Sequence, residues 1–373
     1  PITVFLSGII GSQISPIKSL STLPMSISVV GIAVGAIFAT KLMSLIGRKA
    51  GFIFASLGNS LVSILAAYSI MEQNFIIFCI ANFFLGVGMA FTHQYRFAAA
   101  ESVEKDKIPK AISIILLGGI ISAFIGPGIA NYSKDIVSDQ LYVGSYISLS
   151  ILMFIPAILF LFYENILKLK SEIKYSGRSY LELISQPKFL QAMIASAFGY
   201  AIMTFLMTAT PLSMHVMEKI SLDKTSMVIQ FHVASMFLPS LLTGHLIKKI
   251  GHSLVMYAGI FLYSITILIS FFDQTYMNYM FALIFLGLGW NFLFISGTSL
   301  LVLTYKEEEK FKAQGLNDFI VYSIHATGSL SAGILIVLTN WKFMNMMCIP
   351  LLIIIILTIL RADIHSKKLI KNN

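Results

Sequence analysis

Twelve windows of this chain contain no Lys, Arg, Asp or Glu: 1–17, 19–40, 50–71, 73–95, 111–133, 140–163, 189–217, 225–247, 250–272, 274–305, 319–341 and 343–360. A hydrocarbon core of about 30 Å is crossed by roughly 20 helical residues. All but the first window are near or above that length. Apolar residues run through them without alternation, as in Ile151 to Ile155 and Leu351 to Ile356. Barrel strands would alternate apolar and polar residues over short segments. Only closed barrels and helices satisfy the backbone in lipid, so the pattern predicts an all-α polytopic membrane protein. The first window reads as the rear half of a span ending near Gly11-Ser12-Gln13, and helix one is expected to be incomplete.

Composition excludes the soluble alternative. Charged residues make up 12% of the 373 positions, about half the usual share of a soluble domain. A soluble fold of this size has no amphipathic shell with which to cover twelve apolar helices. The net charge of +9 is explained by position and implies no nucleic-acid partner. Alternate gaps between windows hold Lys18, Lys134, Lys219, Lys224 and Lys342. The remaining gaps and the tail hold twenty Lys and Arg, and only Arg96 lies within a span. Positive residues collect on the cytoplasmic side, which makes both termini cytoplasmic where the first span is complete in the native protein. The bilayer is the expected partner of the apolar faces, and a monomer is the expected state. Cys79 and Cys348 fall inside spans and form no disulfide or metal framework. No metal or cofactor is expected, and no phosphate-cradling GK[ST] loop suggests an ATPase.

The windows fall into two sets of six. Residues 1–163 form an N-terminal six-helix half and 189–361 a C-terminal one. Between them 164–188 is a cytoplasmic linker, with Lys168, Lys170, Glu172, Lys174 and Arg178, and 362–373 is a cytoplasmic tail. The halves repeat one another. Phe84-Leu85-Gly86-Val87-Gly88 returns as Phe285-Leu286-Gly287-Leu288-Gly289, an offset of 201. Lys110-Ala111 returns as Lys312-Ala313 at 202, and Ile46-Gly47-Arg48 as Ile250-Gly251-His252 at 204. Three landmarks in one order at nearly one offset point to duplicated six-helix bundles, as in alternating-access carriers.

On these residues the chain resembles the major facilitator superfamily. "TKLMSLIGRK", residues 40–49, occupies the place of the family's loop between helices two and three. Gly47, Arg48 and Lys49 match its motif, while Thr40 stands at the first Gly, Ser44 at the Asp and Leu45 at the Arg. "HQYRFAAAES", "GLGWNFLFISGTSLL" and "KAQGLNDF" are similar to a bacterial branch of that superfamily. The resemblance implies two six-helix bundles in a bacterial inner membrane and secondary transport of a small solute between them. Protons are a candidate coupling ion. The missing Asp keeps a non-transporting receptor or assembly protein open as an alternative. A lipid-modifying membrane enzyme would need a compact acid, base or metal site that the sequence lacks.

Polar residues inside spans mark where chemistry would sit. Arg96, with His93 and Gln94 beside it, is the first candidate for a solute cavity, against a snorkelling or structural role paired with Glu101. Trp290 and Asn291 are candidates in the second half, against interhelical hydrogen bonding. Asn317 and Asp318 open the eleventh window either as helix caps or as a proton-exchanging gate. His325, seven residues on, falls on a similar face. Arg48, Lys49 and Glu101 complete the gating set. Pro127 and Pro211 are expected to bend or interrupt their helices. Labelling of single cysteines at positions 134 and 174 in sealed vesicles is expected to come from opposite sides; reaction of both from one side would overturn the orientation.

Overall fold

The computed structural model describes residues 2–17, 20, 23–137, 141–164 and 177–372. Lys18 and most of the linker, including Lys168, Lys170, Glu172 and Lys174, lie outside the described residues. Among the described residues the regular structure is helical throughout. The helices are α1 (Ile2–Ile14), α2 (Leu23–Met71), α3 (Phe75–His93), α4 (Tyr95–Glu101), α5 (Ile108–Tyr132) and α6 (Val143–Leu161). From residue 180 onward come α7 (Tyr180–Ser185), α8 (Pro187–Pro211), α9 (Leu222–Phe237), α10 (Ser240–Ile250) and α11 (His252–Ile269). Last are α12 (Tyr276–Val302), α13 (Lys310–Leu338), α14 (Trp341–Met347) and α15 (Ile349–Asn372). Nine helical segments among the described residues are long and apolar enough to cross a membrane.

Helix α2 runs for 49 residues, about 74 Å if straight at about 1.5 Å per residue. It is two helices joined at Gly47, where φ is 82° and ψ 165°. The repeat-related Gly251, between α10 and α11, has φ 85° and ψ 164°. No other glycine among the described residues has positive φ. This region of backbone space is open essentially to glycine alone, so the same corner is built twice from the same residue. Repetition extends to the charged loops. A 3₁₀ turn at Lys105–Lys107 leads into α5, and one at Glu307–Glu309, offset by 202, leads into α13. It also extends to helix packing. A Cβ on Gly86 would strike the Ser28 carbonyl, and one on Gly287 would meet that of His232 at 2.7 Å. Ser28 and His232 are themselves 204 apart, so the same helix pair closes against glycine in each repeat.

By contacts the chain forms two compact units. The first contains residues 1–98, 121–175 and 314–322; the second contains 99–120, 176–313 and 323–373. In the first, Leu6 and Ile10 of α1 pack with Ala66 and Ile70 of α2, Phe78 and Leu85 of α3, and Tyr146 of α6. Polar side chains stitch these helices where lipid offers no partner. Ser7 donates to Asn82 Oδ1 at 2.8 Å, Ser60 and Ser150 meet at 2.9 Å, and Ser145 donates to the Ala130 carbonyl at 2.6 Å. In the second unit, Ile108 and Ile112 of α5 pack with Ile247, Val255 and Ile295. Tyr263 donates to the Gly199 carbonyl at 2.7 Å.

Arg178 forms a tight ionic anchor just before α7. Arg178 donates to both Glu309 carboxylate oxygens, at 2.9 and 2.6 Å, to Gln186 at 2.7 Å and to the Thr304 carbonyl at 3.1 Å. The Glu309 carboxylate raises the Arg178 guanidinium above its ordinary value. Ser179 then begins α7 with a capping box to Glu182. The backbone of α5 continues as one helix across Pro127, without the interruption that was one of the two expectations there. At Pro211, by contrast, α8 ends and a π-helical turn, Leu212–Met217, follows.

Replacing Gly47 or Gly251 with Ala is expected to cost about 1–3 kcal/mol each, because the new Cβ must occupy a glycine-only backbone region. Thermal unfolding of the purified variants checks this, with Gly58→Ala, in open space on a regular stretch of helix, as the neutral control.

A buried charge cluster and an aromatic box

Two breaks in otherwise apolar helices bring the charges of the first unit together. The chain turns at Gly47 and the next residue, Arg48, is buried. Helix α3 stops at His93, Gln94 bridges one residue, and α4 begins at Tyr95. From far along the chain, α13 presents Gln314, Asn317, Asp318 and Tyr322, spaced so that they share a face. Gln94 is the joint. Its Oε1 accepts from Arg48 at 3.4 Å and its Nε2 donates to Asp318 Oδ2 at 2.8 Å. Arg48 also donates to Gln314 Oε1 at 2.7 Å. Arg96 donates through Nη2 to Asp318 Oδ1, forming an ion pair, and through Nη1 to the Tyr322 hydroxyl at 3.2 Å. Asn317 Nδ2 donates to the same Asp318 oxygen at 2.9 Å. The His93 ring stacks on Tyr322, with centroids 4.5 Å apart.

Arg96 and Asp318 are 3% and 1% exposed. Desolvating two such charges costs several kcal/mol each, which their attraction and hydrogen bonds offset only when the geometry is good. Asp318 lies eight residues inside α13, so it is no helix cap; three side chains hold its carboxylate. Arg96 takes Asp318 as its ion-pair partner. The Glu101 carboxylate lies in the second unit, 3.9 Å from Lys310 Nζ, and Lys310 also pairs with Glu307 at 2.7 Å. Lys49 points elsewhere, donating to the Leu161 carbonyl at the end of α6 at 2.6 Å. Tyr322 was missed in the sequence, although its place one turn after Asp318 was a usable signal. In the loop motif, Leu45 is exposed and Ser44 donates to the Lys41 carbonyl at 2.6 Å.

The second unit holds the other candidates. Asn291 donates to the Met236 carbonyl at 2.6 Å and Ser240 Oγ at 2.7 Å, and accepts from Thr243 at 2.5 Å. Its amide is thus engaged across the α9–α10 break, in interhelical bonds. Trp290 lies in an aromatic box. Phe294, one turn on, stacks on it at 4.9 Å and 12°. Tyr200 stands edge-on to both rings at 5.4 Å, and Phe237 edge-on to Trp290 at 5.8 Å. His325 lies against Tyr200 at 4.5 Å. The Trp290 indole N–H is buried and meets no acceptor, as do the hydroxyls of Ser296 and Thr298. A buried donor without a partner costs about 1–3 kcal/mol. Tyr200, Phe237 and Phe294 could not be told in sequence from the many other aromatic residues of the spans. Among the described residues no three His, Cys, Asp or Glu gather in a metal-holding group.

Known proteins are similar to this chain in sequence and in fold. The Major Facilitator Superfamily profile matches residues 2–324 and again 192–372. The chain is 32% identical over 362 residues to the riboflavin transporter RfnT of Brucella anthropi, covering 96% of this chain and 91% of that protein. It is 23% identical to the MFS-type transporter YddS of Bacillus subtilis, over 88% of this chain and 79% of the relative. In fold it is similar to the transporter FucP in its outward conformation, with a TM-score of 0.69, 16% identity and coverage of 95% and 96%. It is also similar to the human organic anion transporter MFSD10, with a TM-score of 0.72, 11% identity and coverage of 95% and 84%. This multi-pass membrane protein belongs to the Major Facilitator Superfamily.

Proposed function

We propose that the protein carries a flat heteroaromatic solute of the riboflavin type by alternating access, driven by protons exchanged at Asp318. In this reading residues 1–163 and 189–361 are the two rocking halves and 164–188 is their cytoplasmic linker. The protein acts as a monomer in a bacterial inner membrane, with both termini in the cytoplasm. The observation that carries the proposal is the buried Arg96–Asp318 pair, an ion pair inside apolar spans between segments 222 residues apart. Such intramembrane charges are costly and mark ion and substrate pathways. Protonating Asp318 would remove the charge that holds Arg96, so the pair can report proton binding as a change of contact. Arg48, Gln94, Asn317 and His93 position this gate.

Two things support the solute class. The relative named as a riboflavin transporter matches nearly the whole chain. The aromatic box around Trp290 offers ring faces and edges together with a donor that has no acceptor. A flavin ring has flat faces for stacking and carbonyl oxygens for that donor. Lys49, Glu101 and His325 are secondary positions in this scheme.

Purified protein in sealed vesicles is expected to accumulate labelled riboflavin when a proton gradient is imposed, and excess L-fucose is expected not to compete. Trp290→Phe keeps a ring but loses the donor, and should weaken apparent affinity by roughly 3–10-fold. Movement of neither riboflavin nor any other solute under any gradient, by well-folded protein, would return the receptor reading. A second set of variants tests the gate. Arg96→Ala and Asp318→Ala should each destabilise the protein by about 3–5 kcal/mol, because each strands a buried charge. The double variant should lose clearly less than the sum. Asp318→Asn should abolish uphill accumulation while leaving downhill exchange, and unchanged uphill transport would remove Asp318 from coupling.

A further inference from the structure

At the lysine-rich end of the second unit a cleft of about 440 Å³ opens between the start of α5 and the end of α10. That volume is within the range of small-ligand sites, about 300–1,000 Å³. Its base is fixed by Gly244, where an added Cβ would meet the Lys110 Cα at 2.9 Å and the Lys110 nitrogen at 3.0 Å. The two backbones therefore touch there. The rim carries Lys107, Lys110, His245 and Lys248, with one carboxylate, Asp106. The apolar part of the lining is Val103, Ala111 and Ile114.

Two of the rim cations are already matched. Lys248 donates to Asp106 at 2.9 Å, and Lys107 to Glu104 at 2.8 Å. The Lys248 ammonium holds the Asp106 carboxyl below its ordinary range, so the carboxylate stays charged. Lys110 and His245 have no side-chain partner among the described residues. The rim thus keeps its positive excess on Lys110, with the His245 ring beside it as a further hydrogen-bonding group. Outward from the apolar lining the surface is apolar too: Ile114 is 57% exposed, and Ile115, Leu241 and Leu242 are exposed on α5 and α10.

A cationic rim with an apolar lining, continuous with a lipid-facing surface, is complementary to a phosphate head that carries acyl chains. Basic pockets between membrane helices bind such heads. A soluble anion would match the rim and leave the apolar lining uncovered. We propose that this cleft is a binding site for an anionic phospholipid, its phosphate held by Lys110 and His245 and its chains laid along Ile114. It shares no residue with the Arg96–Asp318 gate.

The test uses delipidated full-length protein, titrated with phosphatidylglycerol or phosphatidylcholine and read by native mass spectrometry and by the shift in melting temperature. The wild type is expected to prefer phosphatidylglycerol. In the surface variant Lys110→Gln/His245→Gln the preference should fall by about fivefold or more, about one cation's worth, with the lipid-free melting temperature unchanged. Ile114→Ser should weaken phosphatidylglycerol binding as well, and millimolar inorganic phosphate should not displace the lipid. Equal binding of the two lipids by the wild type, or a preference that survives in the double variant, would overturn the site. Displacement by inorganic phosphate would assign it to a free anion instead.

Discussion

The Arg96–Asp318 pair is the constraint around which the first unit is arranged. A guanidinium and a carboxylate among apolar helices must find each other, because neither is stable there alone. Their meeting requires α13, which begins more than two hundred residues after Arg96, to come against the break between α3 and α4. It also relies on Gln94, whose one amide accepts from Arg48 and donates to Asp318. Gly315 fits this approach closely, since a Cβ there would strike the Thr40 side chain. Thr40 is where the family's loop motif has glycine, so the small residue of this contact sits on the opposite helix.

Much of the scaffold was legible in the sequence because its signals are local and repeated. Charge-free windows give the spans through the thickness of a bilayer. The offset between Gly47 and Gly251 marked them as repeat-related, and the backbone angles at the two positions agree within a few degrees. The site was less legible, for a physical reason. Helices that are apolar all round carry no stripe to say which face turns inward. Asn291 therefore read equally as a solute contact or an interhelical bond until its three partners on α9 and α10 were known. Arg96 and Asp318 were each visible as charges at the edge of a span, but nothing local to either residue named the other. Tyr200 and Phe237 had no mark at all in a chain with 15 Tyr and 29 Phe.

The repeat separates what the fold needs from what it does not. Corner glycines, glycine-lined helix contacts and 3₁₀ turns occur in both repeats, as expected of features that every six-helix bundle of this kind must have. The charge cluster occurs once. At the repeat offset of 201, Arg96 corresponds to Gly297, which packs closely on Ser196 and the Ala192 carbonyl. At 202, Asp318 corresponds to Leu116, and at 204 Arg48 corresponds to His252. The counterpart positions thus hold a glycine, a leucine and a histidine in place of the ions, and a packed apolar contact is often as stable as a buried ion pair or more so. Folding alone does not require the ions. In the proposed reading they add a contact that a single proton can loosen, which apolar packing at the same position cannot offer.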